Sequence, residues 1–295
     1  MRHLYRCPMR WADLDLLGHV NNVVYADYLQ EARADLLRTM MPGRDHLAEA
    51  IVVVRNEVTY LAPLLLRTEP VAIECWVTHV RAASFTVAYE IYDEVGDDLD
   101  PSAPAQRRVY VRASTVLAPV DLAVGRPRRV SDAEREVLAR FTDEPADDPA
   151  PRIPRVDRTR AHRFPLPVRF SDVDLYRHVN NVVYFDYLQE SRIRMLDEVV
   201  AEVGVERPHI VTAQTDVDYV RPIVLRAEPY DVWTQVTRVG SRSMTVVSEI
   251  ADHEGDGVAA RARVALVFFD VDAGRAIEPP AALRDRLLAQ LPVQA

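Results

Sequence analysis

The sequence contains little cysteine, little basic charge relative to acidic charge, and no long apolar run. Its only cysteines are Cys7 and Cys75, which form no CxxC pair, so we expect two reduced, buried thiols. No apolar stretch approaches the roughly 18 residues of a membrane span. The opening segment, MRHLYRCPMRWADLD, has no apolar core typical of a signal peptide. A cytoplasmic protein without a membrane span is therefore expected.

The charge balance argues against a nucleic-acid partner. The net charge is −9, and the 36 Lys and Arg residues are scattered rather than clustered. Nucleic-acid binding requires a basic surface, which this composition does not provide. Apolar residues make up 48% of the 295 residues, enough for globular cores, and this length suits two compact domains better than one.

The most prominent feature of the sequence is an internal repeat. The segment DLDLLGHVNNVVYADYLQE, Asp13–Glu31, returns as DVDLYRHVNNVVYFDYLQE, Asp172–Glu190. A repeat of this length indicates a duplicated domain, since solenoid units repeat every ~20–50 residues. We predict domains at residues 1–141 and 163–295. The proline- and charge-rich segment 142–162 is predicted to be an exposed linker.

Each half has the same order of elements: a strand, a polar loop, a long helix and four strands. The first strands are predicted at about Leu4–Trp11 and Arg163–Phe170. Apolar spacing places one buried helix face on Tyr25, Tyr28, Leu29, Ala32 and Leu36, and in the second half on Tyr184, Tyr187, Leu188, Ser191 and Met195. The later segments are β-branched and partly alternating, which indicates strands. The sequence thus predicts an α+β fold.

The repeated segment resembles a known family. RWADLDLLGHVNNVVYADYLQEAR is similar to the N-terminal segment of hotdog-fold thioesterases of the 4-hydroxybenzoyl-CoA type, and to the HVNN segment of plant acyl-ACP thioesterases, which carry two hotdogs in one chain. The segments EVTYLAP and DVDYVRP resemble the strand that follows. The resemblance implies an antiparallel sheet around a central helix in each half. It also implies that the halves pair as an intrachain pseudo-dimer with active sites at the seam between them. Whether such chains assemble further into homo-oligomers stays open.

The resemblance also assigns catalytic residues. In the family, the second aspartate of the D-x-D motif is the catalytic carboxylate, which here corresponds to Asp15 and Asp174. His19 and His178 match the family's histidine. The Asn and Glu of the plant enzymes have no match, because Leu17 or Tyr176 and Pro63 or Pro222 stand there. We therefore carry over the aspartate and histidine without that full network.

Hydrolysis of a thioester requires stabilisation of the developing oxyanion and attack on the carbonyl carbon. The helix start, placed at Asn21–Asn22 and Asn180–Asn181, offers unpaired N–H groups at a positive dipole end. Asn22 and Asn181 are the predicted N–H donors. Asn21 and Asn180 are candidate substrate contacts, with helix capping as the alternative.

Several roles stay open at this stage. Asp13 either orders the loop or acts in catalysis, and His19 is either an active-site or a loop histidine. Asp15 acts either as a nucleophile or as a general base, the second being preferred. Glu31 and Glu190 are rival carboxylates, for which an ion pair with an arginine such as Arg33 is favoured.

The substrate is predicted to be an acyl thioester, with no metal or cofactor. Arg81, Arg238 and Arg242 lie in the turns before the fourth strand of each half and are candidates for binding the phosphates of CoA. Acyl-ACP remains open as the donor, but an acidic protein repels an acidic carrier, so CoA is favoured. The alternatives are a hotdog acyl-CoA hydratase or dehydratase, or a non-catalytic acyl-CoA-binding protein.

The two halves have diverged unevenly. From Arg10 to Arg33 they agree at 17 of 24 positions, whereas from Glu69 to Tyr92 they agree at 10 of 24. The segment around the predicted site has therefore changed less than the strands. We expect two competent sites.

Overall fold

A computed structural model describes residues 1–41, 51–95, 106–121, 125–144, 150–253, 255 and 257–291. The chain divides into two compact units, Met1–Pro149 and Ala150–Ala295. The pairing of the two halves stays a prediction. In the described part of the chain, no helix has both the length and the apolar character needed to cross a bilayer.

Within its described residues, the first unit contains one long helix, one short helix and six strands. In chain order these are β1 (His3–Cys7), a 3₁₀ turn (Trp11–Asp13), α1 (Val24–Met40), β2 (Ile51–Tyr60), β3 (Val71–Val80), β4 (Phe85–Val95), β5 (Gln106–Asp121), β6 (Arg126–Pro127) and α2 (Asp132–Arg140). The strands form an antiparallel sheet in the order β1-β3-β4-β5-β2, and β6 pairs with β5. Helix α1 packs against β1 and β3.

The second unit repeats this arrangement. Its elements are β7 (His162–Leu166), a 3₁₀ turn (Phe170–Asp172), α3 (Val183–Val203), β8 (Ile210–Tyr219), β9 (Tyr230–Val239), β10 (Ser243–Asp252), β11 (Val258–Asp270), β12 (Arg275–Ala276) and α4 (Ala281–Leu288). The antiparallel order is β7-β9-β10-β11-β8, with β12 beside β11. Helix α3 packs against β7 and β9.

The predicted helix faces are confirmed. In α1, Tyr25, Tyr28, Leu29, Ala32 and Leu36 are all buried, and their counterparts in α3 are buried as well. Full burial of a side chain such as leucine contributes about 1.5–3 kcal/mol to stability. The periodic positions therefore supply much of the stabilisation that holds each long helix on its sheet.

The first strand of each unit is shorter than predicted. Strand β1 ends at Cys7 and β7 ends at Leu166, and each is followed by a proline, Pro8 or Pro167. Each of these prolines lacks an N–H to donate and so removes a possible ladder bond just beyond the strand end, although Pro165 is accommodated within β7. Trp11 and Phe170, predicted to end these strands, lie in the 3₁₀ turns instead.

Two helices, α2 and α4, were not predicted. Ser131 caps α2 in a reciprocal capping box with Glu134. The sequence Ser-Asp-Ala-Glu matches the capping-box pattern, so this helix start could have been predicted. Arg128 donates to the same carboxylate, at 2.7 Å and 2.9 Å. These contacts lower the pKa of Glu134 to about 2.

The predicted exposed linker is exposed only in part. Residues 145–149 of that segment lie outside the described residues. Ile153 and Val156 are buried against Trp233 and Val247 of the second unit. Because their apolar side chains join that core, this part of the segment belongs to the second unit.

Candidate active site

The polar loop between β1 and α1 folds as a small hairpin around Asp15. The N–H of Asp15 donates to the carbonyl oxygen of His19 at 2.8 Å. One carboxylate oxygen, Oδ1, accepts from the N–H of Leu17 at 2.8 Å and from the N–H of His19 at 3.1 Å. No described residue donates a hydrogen bond to the other oxygen, Oδ2. The backbone therefore orients the carboxylate and leaves one oxygen available.

The second unit builds the same hairpin around Asp174. The N–H of Asp174 donates to the carbonyl oxygen of His178 at 2.9 Å. Oδ1 of Asp174 accepts from the N–H of Tyr176 at 2.9 Å and from the N–H of His178 at 3.4 Å. The same hairpin geometry therefore occurs once in each unit, around its predicted catalytic aspartate.

The predicted histidines contact these aspartates through their backbone. In the described part of the chain, neither imidazole ring makes a hydrogen bond. His19 is half-buried and His178 is exposed. The four-residue spacing therefore reflects the closure of the hairpin, and a catalytic role for either ring stays a prediction.

Each long helix begins slightly later than predicted. Regular α-helix starts at Val24 and Val183, after one tight turn, rather than at Asn21–Asn22 and Asn180–Asn181. The carbonyl oxygen of Asn21 accepts from the N–H of Val24 at 3.0 Å, and its Oδ1 accepts a long bond from the N–H of Val23 at 3.4 Å.

Asn180 makes the corresponding contacts with Val183 and Val182, at 3.0 Å and 3.3 Å. Both asparagines therefore close the turn that precedes the helix, whereas the N-cap residues, Val23 and Val182, make no side-chain cap bond. The additional role of the asparagines as substrate contacts stays a prediction.

The peptide that follows each of these asparagines is anchored by a tyrosine of the sheet. Tyr60 donates its hydroxyl to the carbonyl oxygen of Asn22 at 2.9 Å, and Tyr219 does the same to Asn181 at 2.8 Å. The N–H of Asn22 has no acceptor among the described residues. It lies two residues before the first helical residue, Val24, and so close to the positive end of the helix, which favours a bound oxyanion. The tyrosine contacts were not predicted, although Tyr60 and Tyr219 align in the repeat.

Asp13 braces the loop. It is 2% exposed, and its Oδ2 accepts from the hydroxyl of Tyr28 at 2.6 Å and from the N–H of Arg10 at 2.7 Å. The Arg10 guanidinium adds a bond to Oδ1 at 3.0 Å. Asp172 is held similarly by Tyr187, at 2.6 Å. These contacts agree with the loop-ordering role and leave Asp13 without access to solvent.

Another carboxylate, Asp27, lies in the first turn of α1. Burial raises the pKa of Asp27, and the charges of Asp13 and Glu31 raise it further while Arg10 lowers it. A raised pKa in the folded state means that the native protein binds more protons than the unfolded chain. Ionised Asp27 therefore lowers the free energy of unfolding at pH 7. This effect disappears below the pH range in which the Asp27 carboxylate titrates.

We expect Asp27→Asn to raise the free energy of unfolding at pH 7 by less than about 1 kcal/mol. The gain should vanish at pH 3.5, below the ordinary aspartate pKa of about 3.9. Urea unfolding at both pH values measures it. Asp186→Asn, at the exposed equivalent position in α3, is the matched comparison. A gain that persists at pH 3.5 would contradict this account.

The predicted phosphate-binding arginines lie far from the aspartate loop of their own unit. The end of β1, Cys7, pairs with Val71 at the start of β3, whereas Arg81 follows the other end of β3. Nine residue steps separate these ends, or about 30 Å of strand. Arg238 and Arg242 lie at the equivalent end of β9. Within its own unit, the sheet thus does not bring any of the three to the loop.

The rival glutamates of the long helices and the two cysteines lie in contrasting surroundings. Glu31 and Glu190 are exposed, and the described structure contains no ion pair between Glu31 and Arg33, which is buried. Cys7 and Cys75 are buried free thiols, as predicted. Burial raises the pKa of both to about 12, which keeps them protonated and unreactive at neutral pH.

Comparisons with known proteins agree with this architecture. A family model described as the Thioesterase-like superfamily matches residues 9–141 and 168–287. The long-chain acyl-CoA thioesterase FadM of Escherichia coli is 27% identical over 125 residues, which cover 41% of this chain and 93% of that protein. The uncharacterised protein YsmA of Bacillus subtilis is 31% identical over 84 residues, and the match spans 28% of this chain and about half, 54%, of YsmA.

Two solved structures share the fold across most of the chain. The 12:0-ACP thioesterase of Umbellularia californica gives a TM-score of 0.71 at 15% identity, covering 91% of this chain and 94% of that one. An acyl-ACP thioesterase from Bacteroides thetaiotaomicron gives 0.66 at 15% identity, covering 90% and 97%. The predicted hotdog fold is confirmed.

Proposed function

The chain belongs to the Thioesterase-like superfamily and is a thioester hydrolase, and we propose that it hydrolyses acyl-CoA thioesters at two sites, one in each half. The observation that carries the proposal is a carboxylate held by two backbone N–H groups, a few residues before a helix start. Asp15 and Asp174 supply this carboxylate, and the N–H of Asn22 is the donor at the helix start of the first half.

In the proposed reaction, the thioester carbonyl oxygen accepts a hydrogen bond from the N–H of Asn22. The positive helix end stabilises the charge that develops there. The available oxygen of Asp15 takes a proton from a water molecule, which attacks the acyl carbon. The carbon–sulfur bond then breaks, and the thiolate leaves and is protonated. Asn181 and Asp174 perform the same steps in the second half.

The alternative mechanism is direct attack by Asp15 or Asp174 to form a mixed anhydride. A single turnover in ¹⁸O water with enzyme in excess tests this alternative. Water attack places the label in the released acid and leaves both aspartates unlabelled, which is the result we expect. Opening of an anhydride at the aspartate carbonyl would label the enzyme, and mass spectrometry of the Asp15 and Asp174 peptides would detect it.

CoA is the preferred carrier, and an apolar acyl group the preferred cargo. The net charge of −9 disfavours an acidic carrier protein. The name of the E. coli relative, a long-chain acyl-CoA thioesterase, supports the same choice. Leu16 and Leu175, next to the two aspartates, expose their side chains almost completely and offer apolar surface to an acyl chain.

The test is an assay of the purified protein with acyl-CoAs of increasing chain length and a reagent for free thiol. We expect thiol release, with KM falling as the acyl chain lengthens because more apolar area is buried. Binding without thiol release would favour the non-catalytic alternative. Hydration of an enoyl-CoA without thiol release would favour the hydratase.

A further inference from the structure

The two aspartate hairpins differ at the residue before the histidine. In the first hairpin this residue is Gly18, with a φ of +75°, and in the second it is Arg177, with a φ of +63°. Each closes the equivalent turn of its own hairpin. The N–H of Gly18 donates to the carbonyl oxygen of Asp15 at 3.1 Å, and the N–H of Arg177 donates to that of Asp174 at 3.0 Å. Glycine adopts this left-handed backbone readily, whereas a residue with a side chain is strained in it.

The fold does not explain why an arginine occupies this strained position. Arg177 is exposed, and its guanidinium makes no hydrogen bond or ion pair within the described residues. The first hairpin shows that glycine closes the turn equally well. A strained residue that nothing in the surrounding structure requires points to a role in binding another molecule.

The position of Arg177 indicates what that function is. Residues Asp174 and Arg177 are the ends of one tight turn, so their Cα atoms lie within about 7 Å. The long side chain is therefore within reach of the second proposed site. A guanidinium binds phosphate and carboxylate groups with two parallel hydrogen bonds, and in an acidic protein an unpaired one is available for such a group.

We propose that Arg177 is a specificity-determining residue that binds an anionic group of the thioester at the Asp174 site, while the Asp15 site, with Gly18, lacks this contact. The inference rests on the proposed function of the two aspartates. The anionic group is either a phosphate of the thiol carrier or a carboxylate on the acyl chain. The two halves would then process differently charged thioesters.

The experiment uses full-length enzymes with one site each. Asp15→Asn leaves the Arg177 site, into which Arg177→Gly is introduced. Asp174→Asn leaves the Gly18 site, into which the reciprocal Gly18→Arg is introduced. Each enzyme is assayed with an acyl-CoA, with the same acyl group on phosphate-free N-acetylcysteamine, and with an N-acetylcysteamine thioester whose acyl chain ends in a carboxylate.

We expect Arg177→Gly to raise KM by about three- to tenfold for an anionic substrate, with kcat unchanged and the neutral thioester unaffected. A change for acyl-CoA alone identifies the carrier phosphate, and a change for the carboxylate thioester alone identifies the acyl group. Arg177→Lys should restore part of the affinity. The melting temperature of Arg177→Gly should equal or exceed that of its parent, because glycine relieves the strain.

The inference is overturned if KM is unchanged for all three substrates, or if it changes equally for all three, the neutral one included. An inactive Asp15→Asn enzyme would overturn it as well, because the second site would then not turn over. Full activity of a folded protein lacking both aspartates would instead overturn the proposed function. Failure of Gly18→Arg to fold leaves the Arg177→Gly comparison decisive.

Discussion

Replacing Asp15 and Asp174 together by asparagine is expected to lower thioesterase activity by about 10²–10⁴-fold, the usual contribution of a positioned acid or base. Either single replacement should leave partial activity, because the other half keeps its own aspartate, histidine and asparagine. Asparagine retains an oxygen that can accept the backbone N–H bonds now made by Oδ1, so the hairpin should persist. The replacement removes only the ability to accept a proton or to attack.

The measurement is kcat/KM for acyl-CoA hydrolysis by the two single variants and the double variant. Circular dichroism verifies that each variant folds. The Asp27→Asn variant is a useful control, since it also removes a carboxylate near the start of α1 but should keep near-normal activity. Full activity in a folded double variant would refute the assignment of Asp15 and Asp174.

Replacing Asp13 by alanine is expected to lower the free energy of unfolding by about 2–4 kcal/mol. Asp13 is almost completely buried and accepts three hydrogen bonds, two of them from Arg10 and one from Tyr28. Its loss leaves the Tyr28 hydroxyl buried without an acceptor. It also detaches the 3₁₀ turn from α1, so activity at the Asp15 site should fall as a secondary effect.

Denaturant unfolding measures this cost, and Asp172→Ala provides the matched comparison. Asp172 is half-buried, so water can replace part of what it provides, and the loss there should be smaller. A double-mutant cycle of Asp13→Ala with Tyr28→Phe isolates the shared bond. A loss below about 0.5 kcal/mol for Asp13→Ala would show that the loop does not depend on this carboxylate.

Much of the fold followed from local patterns. The 3.6-residue spacing of Tyr25, Tyr28, Leu29, Ala32 and Leu36 predicts a buried helix face because side chains at those intervals share one side of a helix. The repeat itself indicated two similar units. The two aspartate hairpins were predictable as loops, since a polar segment with two aspartates lies between a strand and a helix in each half.

Other features depended on which segments meet in space. The sequence by itself determined the repeat, the helix faces and the predicted aspartates. Only the tertiary structure decided that Tyr60 reaches the carbonyl of Asn22, and that Arg81 lies a full strand length from the loop of its own unit. The physical reason is that periodicity reports which face of an element is buried. It does not report which distant residue completes a hydrogen bond, because that depends on strand register and packing.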